Sequence, residues 1–198
     1  MANGFQVVRV QGTSGTCGII ETYILNNTSA KNVAIGDVVL AQTGDAAFTG
    51  STGFSQVIPA TGAAVAVGLN VVGVIVGFEV DPQKGLLRTG LLGTDTDARV
   101  VRVAIDPNQV YAVEVDPGGF LAISINDNVS LVANEATAVT GTNLITSNMT
   151  IVTPTTTKTL PFRIVGYDPA SFVVSDSSFT RVFVRPNESF YKLGQVGV

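Results

Sequence analysis

Residues 99–115 read R-V-V-R-V-A-I-D-P-N-Q-V-Y-A-V-E-V, and their alternation decides the fold. Successive side chains of a strand point to opposite faces, so a period of two marks the faces of a sheet. Val101, Val103 and Ile105 share one face, with Arg102 and Ala104 on the other. After a break, Tyr111, Val113 and Val115 oppose Ala112 and Glu114. Asp106-Pro107 is the break. Proline lacks the N–H that a ladder needs and fixes φ for the first corner of a turn. The Asp before it bonds to the backbone and starts that turn.

The same device recurs outward from this stretch. Four of the eight prolines follow Asp, at Asp81-Pro82, Asp106-Pro107, Asp116-Pro117 and Asp168-Pro169, and each closes a β-like run. The Asp positions are 25, 10 and 52 residues apart, too irregular for a solenoid. Strands are expected at 19–25, at 33–40 around a Gly36-Asp37 turn, at 71–80, 101–105 and 110–115, and at 150–152, 162–167, 172–174 and 179–185. Residues 5–10 read as a first strand or an arm. Residues 116–119 read as a hairpin-like turn into a strand at 120–125. The best candidate for a short helix is 134–139.

Composition agrees. There are 31 Val and 22 Thr, β-branched side chains that suit a pleated surface, with 21 Gly as punctuation. The expected fold class is all-β: an antiparallel β-barrel or a jelly-roll-like sandwich with extended termini. The expected organisation is an N-terminal arm at 1–18, an all-β domain at 19–185 and a C-terminal tail at 186–198. Within the domain there is room for two β subdomains meeting near 90–100.

The chain has 198 residues, no His, no Trp, one Cys (Cys17) and 13% charged residues. Without His, the usual base of nucleophilic triads and the commonest metal ligand are missing. One Cys excludes an intrachain disulfide, a thiolate zinc cluster and a CxxC pair. A net charge of −4 disfavours a phosphate-neutralising surface, so no nucleic-acid partner is expected. Met1-Ala2-Asn3-Gly4-Phe5-Gln6 has neither a basic n-region nor an apolar h-region, and no secretory signal is expected. Residues 46–78 hold no charge, and 62–78 read G-A-A-V-A-V-G-L-N-V-V-G-V-I-V-G-F. That run is short for a membrane span, Gly-rich and broken by Asn70. It reads better as buried strands at 64–67 and 71–76, and no membrane partner is expected.

Each candidate site has a plainer reading. Asp95-Thr96-Asp97 and Asn126-Asp127-Asn128 place oxygens close together, but a hard cation needs six or more, and both read as solvated loops. Cys17 lies in a Gly-rich segment without a basic neighbour to lower its pKa. Lys84 and Lys158 sit in turn-like polar surroundings. A carbohydrate-binding β-sandwich is an alternative, with Tyr23, Phe48, Phe54 and Tyr191 as candidate platforms. The expectation is no enzyme, with no catalytic, cofactor-binding or metal-binding residues. Low charge and few Lys gatekeepers on strands point instead to closure, self-association or docking on a larger assembly.

Asp106, Pro107, Gln109, Val110 and Tyr111 form an Asp-Pro-x-Gln-Val-Tyr element. This resembles a segment of the small head proteins of tailed bacteriophages, in which such an element ends one strand and precedes another. The order of parts is also similar. Gly36-Asp37-Val38 comes early, a Gly- and Val-rich stretch at 71–80 precedes the element, and Asn126-Asp127-Asn128-Val129 follows it. A late strand then runs into Phe183-Val184-Arg185-Pro186-Asn187-Glu188. Asn108 stands where the element often has an acidic residue. The resemblance spans residues 35–187 loosely. It implies an all-β capsid decoration, or cement, protein on the outer surface of the major capsid lattice. Its partners would be the major capsid protein and copies of itself, expected as a homotrimer. It would be assembled in the bacterial cytoplasm and carried on the virion, with no cofactor. Another phage structural role, in a head-fibre base, tail or spike, is the neighbouring alternative.

Overall fold

The computed structural model describes residues 4–10, 18–27, 30–41, 55–60, 71–79, 89–95, 99–116, 120–121, 124–139, 142, 144–157, 159–175 and 178–187. In chain order the strands of the first half are β1 (Gln6–Val10), β2 (Ile20–Leu25), β3 (Val33–Ala34), β4 (Val38–Ala41), β5 (Gln56–Pro59), β6 (Val71–Phe78), β7 (Gly90–Leu91) and β8 (Arg99–Ala104). The second half supplies β9 (Gln109–Glu114), β10 (Phe120–Leu121), β11 (Asn128–Val132), β12 (Thr137–Ala138), β13 (Ile145–Thr146) and β14 (Thr150–Thr155). It continues with β15 (Phe162–Tyr167), β16 (Phe172–Val173), β17 (Ser178–Phe179) and β18 (Arg181–Pro186). The fold is all-β, as the alternation predicts.

The two halves of the 99–115 stretch belong to different sheets. β8 closes a five-stranded barrel in the order β2-β5-β4-β6-β8. Every pairing in it is antiparallel except β2 with β5. Val101, Val103 and Ile105 fill its interior with Tyr23, Leu25, Val39, Val57, Val72 and Ile75. β9 instead joins an antiparallel six-stranded sheet, β1-β9-β18-β15-β11-β14. Its Tyr111 and Val113 pack with Phe162, Ile164, Val182 and Val184. Both inward faces are the ones the sequence marks.

β6 explains the uncharged run. Val72 and Ile75 face the barrel interior, while Val71 and Val74 belong to the core shared with the six-stranded sheet. A strand covered on both faces reads as a continuous apolar segment. No helix among the described residues is long and apolar enough to cross a membrane. The part of that run at 61–70 lies outside the described residues. Gly73 permits the close approach of β6 to β8, since a Cβ there would lie 2.0 Å from the Ala104 carbonyl oxygen.

The six-stranded sheet curls. Beyond β9, Val115 bridges in parallel to Ile151 of β14, and the Asp116 N–H donates to the Ile151 carbonyl at 2.9 Å. Pro154 is tolerated in β14 because that strand is last in the sheet. Val38, Val71, Val74 and Ala104 of the barrel share one core with Tyr111, Val129, Ile151 and Phe162 of the sheet.

Two expectations change, and the choice between strand and arm for residues 5–10 falls on the strand. Residues 5–10 are a paired strand in the six-stranded sheet. The expected turn at 117–119 lies outside the described residues, and among the described residues β9 and β10 do not pair. β10 ends at Leu121 and pairs with β17 in the small sheet β10-β17-β16, because β9 is already flanked by β1 and β18. Residues 134–139 are not helical. Ala136 is buried against Ala34 and Ile145, and β12 pairs with β13, so tertiary contacts override a weak local preference. β18 runs through Pro186, which stands opposite Phe162, and residues 188–198 of the expected tail lie outside the described residues.

Candidate functional site: the seat of the N-terminal strand

The Gly36-Asp37 turn joins β3 to β4. The Ala34 N–H donates to Asp37 Oδ2 at 2.8 Å, and the Asp37 N–H donates back to the Ala34 carbonyl at 3.1 Å. Gly36 has φ +95°, which glycine adopts without steric cost. Its N–H donates to Ile75 O, and Ile75 N–H returns a bond to Asp37 O, both at 2.9 Å. The Asp37 side chain is fully buried. Its Oδ1 accepts the hydroxyl of Ser147, from the segment between β13 and β14. That hydroxyl also accepts the Met149 N–H at 3.3 Å, and the Val38 N–H reaches Met149 Sδ at 3.1 Å. Burial pushes the Asp37 carboxyl up to about 7, against the opposing pull of the Ser147 and Ala34 hydrogen bonds.

The second element lies between barrel and sheet. Asp106 Oδ1 accepts the Asn108 N–H at 2.8 Å, and its carbonyl accepts the Gln109 N–H at 3.0 Å, so Asp106 builds the stop after β8. Gln109 is fully buried. Its Nε2 donates to the carbonyls of Arg9 (2.8 Å) and Val110 (3.2 Å), and its Oε1 accepts the Gly18 N–H at 2.9 Å. The Tyr111 hydroxyl donates to the Ala104 carbonyl at 3.1 Å and ties β9 to the end of β8.

These two elements meet on the N-terminal strand. The Phe5 N–H donates to the Gly36 carbonyl at 2.9 Å. The Phe5 ring sits edge-on to Tyr111 (centroids 6.0 Å apart) and tilted against Phe162 (4.7 Å). β1 pairs with β9 through Gln6↔Ala112, Val7↔Tyr111, Arg9↔Val110 and Val10↔Gln109, and Arg181 Nη2 donates to Gln6 Oε1. The arrangement grips a strand. Asp37 and Ser147 are 0% and 1% exposed, so their hydrogen bond is closed off from solvent between two chain segments.

The other candidates are placed apart from this seat. Asp95 begins beyond a turn in which its N–H donates to Leu92 O, while Thr96 and Asp97 lie outside the described residues. Asn126 takes φ +76° and accepts a bond from Arg163 Nη2, and Asn128 Nδ2 donates to Thr157 O, so 126–128 is where a turn leads into β11. Among the described residues, no three His, Cys, Asp or Glu side chains gather in a way that could hold a metal ion. Tyr23 is buried in the barrel core, not on a surface platform, and its hydroxyl donates to Glu21 Oε2 at 2.9 Å. Cys17, Phe48, Phe54, Lys84, Lys158 and Tyr191 lie outside the described residues.

Sequence reading missed one surface feature, the ladder of Tyr167, Phe179 and Phe172. Their centroid separations are 4.5 and 5.0 Å, and Phe172 remains exposed beside Val174. Phe172 and Phe179 face each other across β16 and β17, a pairing too short to show as alternation. No family model, curated protein or solved structure matches this chain.

Proposed function

We propose that this chain is a virion structural protein, a capsid decoration or cement protein that binds the outside of the major capsid lattice and stabilises the head. Its partners are the major capsid protein and further copies of itself in a homotrimer, and it uses no cofactor. The observation that carries this reading is the use the fold makes of the elements behind the resemblance. Gly36-Asp37-Val38 and the Asp106–Tyr111 element both fasten one chain segment to another at the barrel–sheet junction. The surface adds support: Ile19, Ile20, Leu121, Phe172 and Val174 are exposed on a chain of low charge, which suits broad contact with other protein.

Copy number tests this. Mass spectrometry of purified particles should find on the order of hundreds of copies if lattice repetition supplies the binding strength. Tens or fewer would move the protein to a fibre base, tail or spike, and absence from particles would overturn the reading. Gel filtration with light scattering, with and without empty capsids, checks self-association and lattice binding together.

A further inference from the structure

The first strand of the chain sits in the sheet built by the second half of the chain. Every strand of the six-stranded sheet except β1 comes from residues 109–186, while β2, the next strand after β1, belongs to the barrel. The seat that holds residues 4–10 is made by Gly36, Gln109, Tyr111, Ala112, Phe162 and Arg181.

The covalent tie from β1 to β2 is residues 11–19, Q-G-T-S-G-T-C-G-I, with three Gly and neither Pro nor charge. Nine residues can span at most about 30 Å. Both ends of this tie are held by one side chain, since Gln109 binds the Arg9 carbonyl and the Gly18 N–H. The chain must therefore leave and return to the same point for β1 to fill its own seat. That closure has an entropic cost, which is released if the strand fills a neighbour's seat instead.

We infer that residues 4–10 are an exchangeable strand, and that the seat between Gly36 and Gln109 is where one copy of this protein takes the strand of a second copy. The ladder, the Phe5 aromatic contacts and the Gln109 bonds are the same in either arrangement. Only the course of the tie and the local concentration of chains decide between them. The occupant is a second copy because the seat is already shaped for this strand, down to Gly4. There φ is +61°, and a Cβ would lie 2.1 Å from Ser147 Oγ. The inference rests on the self-associating reading above and names the contact it would use.

Disulfide trapping tests it. Gln6 and Ala112 are direct ladder partners. With Cys17→Ser as background, one chain carries Gln6→Cys and another Ala112→Cys. They are refolded together, concentrated and oxidised. A reducible band at twice the monomer mass is expected, because neither chain can cross-link to its own strand partner. Arg9→Cys with Val110→Cys repeats the trap at another rung of the ladder, should the first pair fail to fold. Folded oligomers by light scattering with no mixed cross-link from either pair would overturn the exchange and leave the assembly reading standing. Monomers at every concentration, with and without capsids, would overturn both.

Discussion

The buried carboxyl of Asp37 accepts a hydrogen bond from the hydroxyl of Ser147, and this pair spans the junction between barrel and sheet. Asp37 belongs to the turn into β4, and Ser147 to the segment entering β14. The Ala34 amide holds the other carboxyl oxygen. An ion with no cation to balance it is costly away from water, so the neutral acid is the favoured form inside.

Stability should therefore fall as pH rises. The Asp37 pKa moves from 3.8 to about 7 on folding. Because the folded value is the higher one, its contribution is complete below about 3.8, declines through the interval and is gone above about 7. A shift of this size corresponds to on the order of 4 kcal/mol. Asp37→Asn keeps an acceptor for Ala34 and a group that pairs with Ser147, but does not ionise. Chemical denaturation at pH 5 and pH 8 should show a clear loss for the native chain and a much flatter profile for the variant. Equal slopes in the two proteins would refute the assignment.

Gln109→Leu should loosen β1 more than the barrel. The amide serves Arg9, Gly18 and Val110 at once, and leucine leaves the buried Val110 carbonyl and the part-buried Arg9 and Gly18 groups without it. Leaving a buried polar group unsatisfied costs about 1–3 kcal/mol. Hydrogen exchange should quicken at residues 6–10 and Gly18, while the β6–β8 ladder stays protected. Uniform quickening would mean that the side chain supports the whole fold instead.

Two glycines of β6 should respond oppositely to alanine. At Gly73 the new Cβ would meet backbone, 2.0 Å from Ala104 O and 2.9 Å from its carbonyl carbon. At Gly77 the nearest atoms are Arg102 Cβ and Cδ at 3.9 Å, an ordinary contact. Gly73→Ala should destabilise by at least about 3 kcal/mol, since the barrel must open to admit it. Gly77→Ala should be neutral or stabilising by up to about 1 kcal/mol through a stiffer unfolded chain. Thermal melts of the two single variants decide the comparison.

What the sequence made legible depended on range. The faces of β8 and β9 were readable because Val101, Val103, Tyr111 and Val113 alternate over a full strand. The Asp-Pro stops were readable because a turn is local: Asp106 bonds Asn108, and Asp168 caps the 3-10 turn at Pro169–Ser171. Strand partnership was not. Nothing near residue 6 says that it will pair with Ala112, and the choice of sheet for β10 follows from β9 already having two neighbours. The seat was half visible. Gly36-Asp37 and Asp106–Tyr111 stood out as motifs, but their common partner, Phe5, lies about 30 residues from one and over 100 from the other.

Phe5 should accordingly behave as a core residue despite its place near the chain start. It is 2% exposed, against 46% for Phe172 in the aromatic ladder. Removing a buried phenylalanine costs about 3–5 kcal/mol, in part through the cavity left behind. Phe5→Ala should lose that much, and Phe172→Ala under about 1 kcal/mol, in urea denaturation of the two variants. The contrast separates an integral strand from a loosely attached arm. If the strand were dispensable to the fold, Phe5→Ala would unfold at the same urea midpoint as Phe172→Ala.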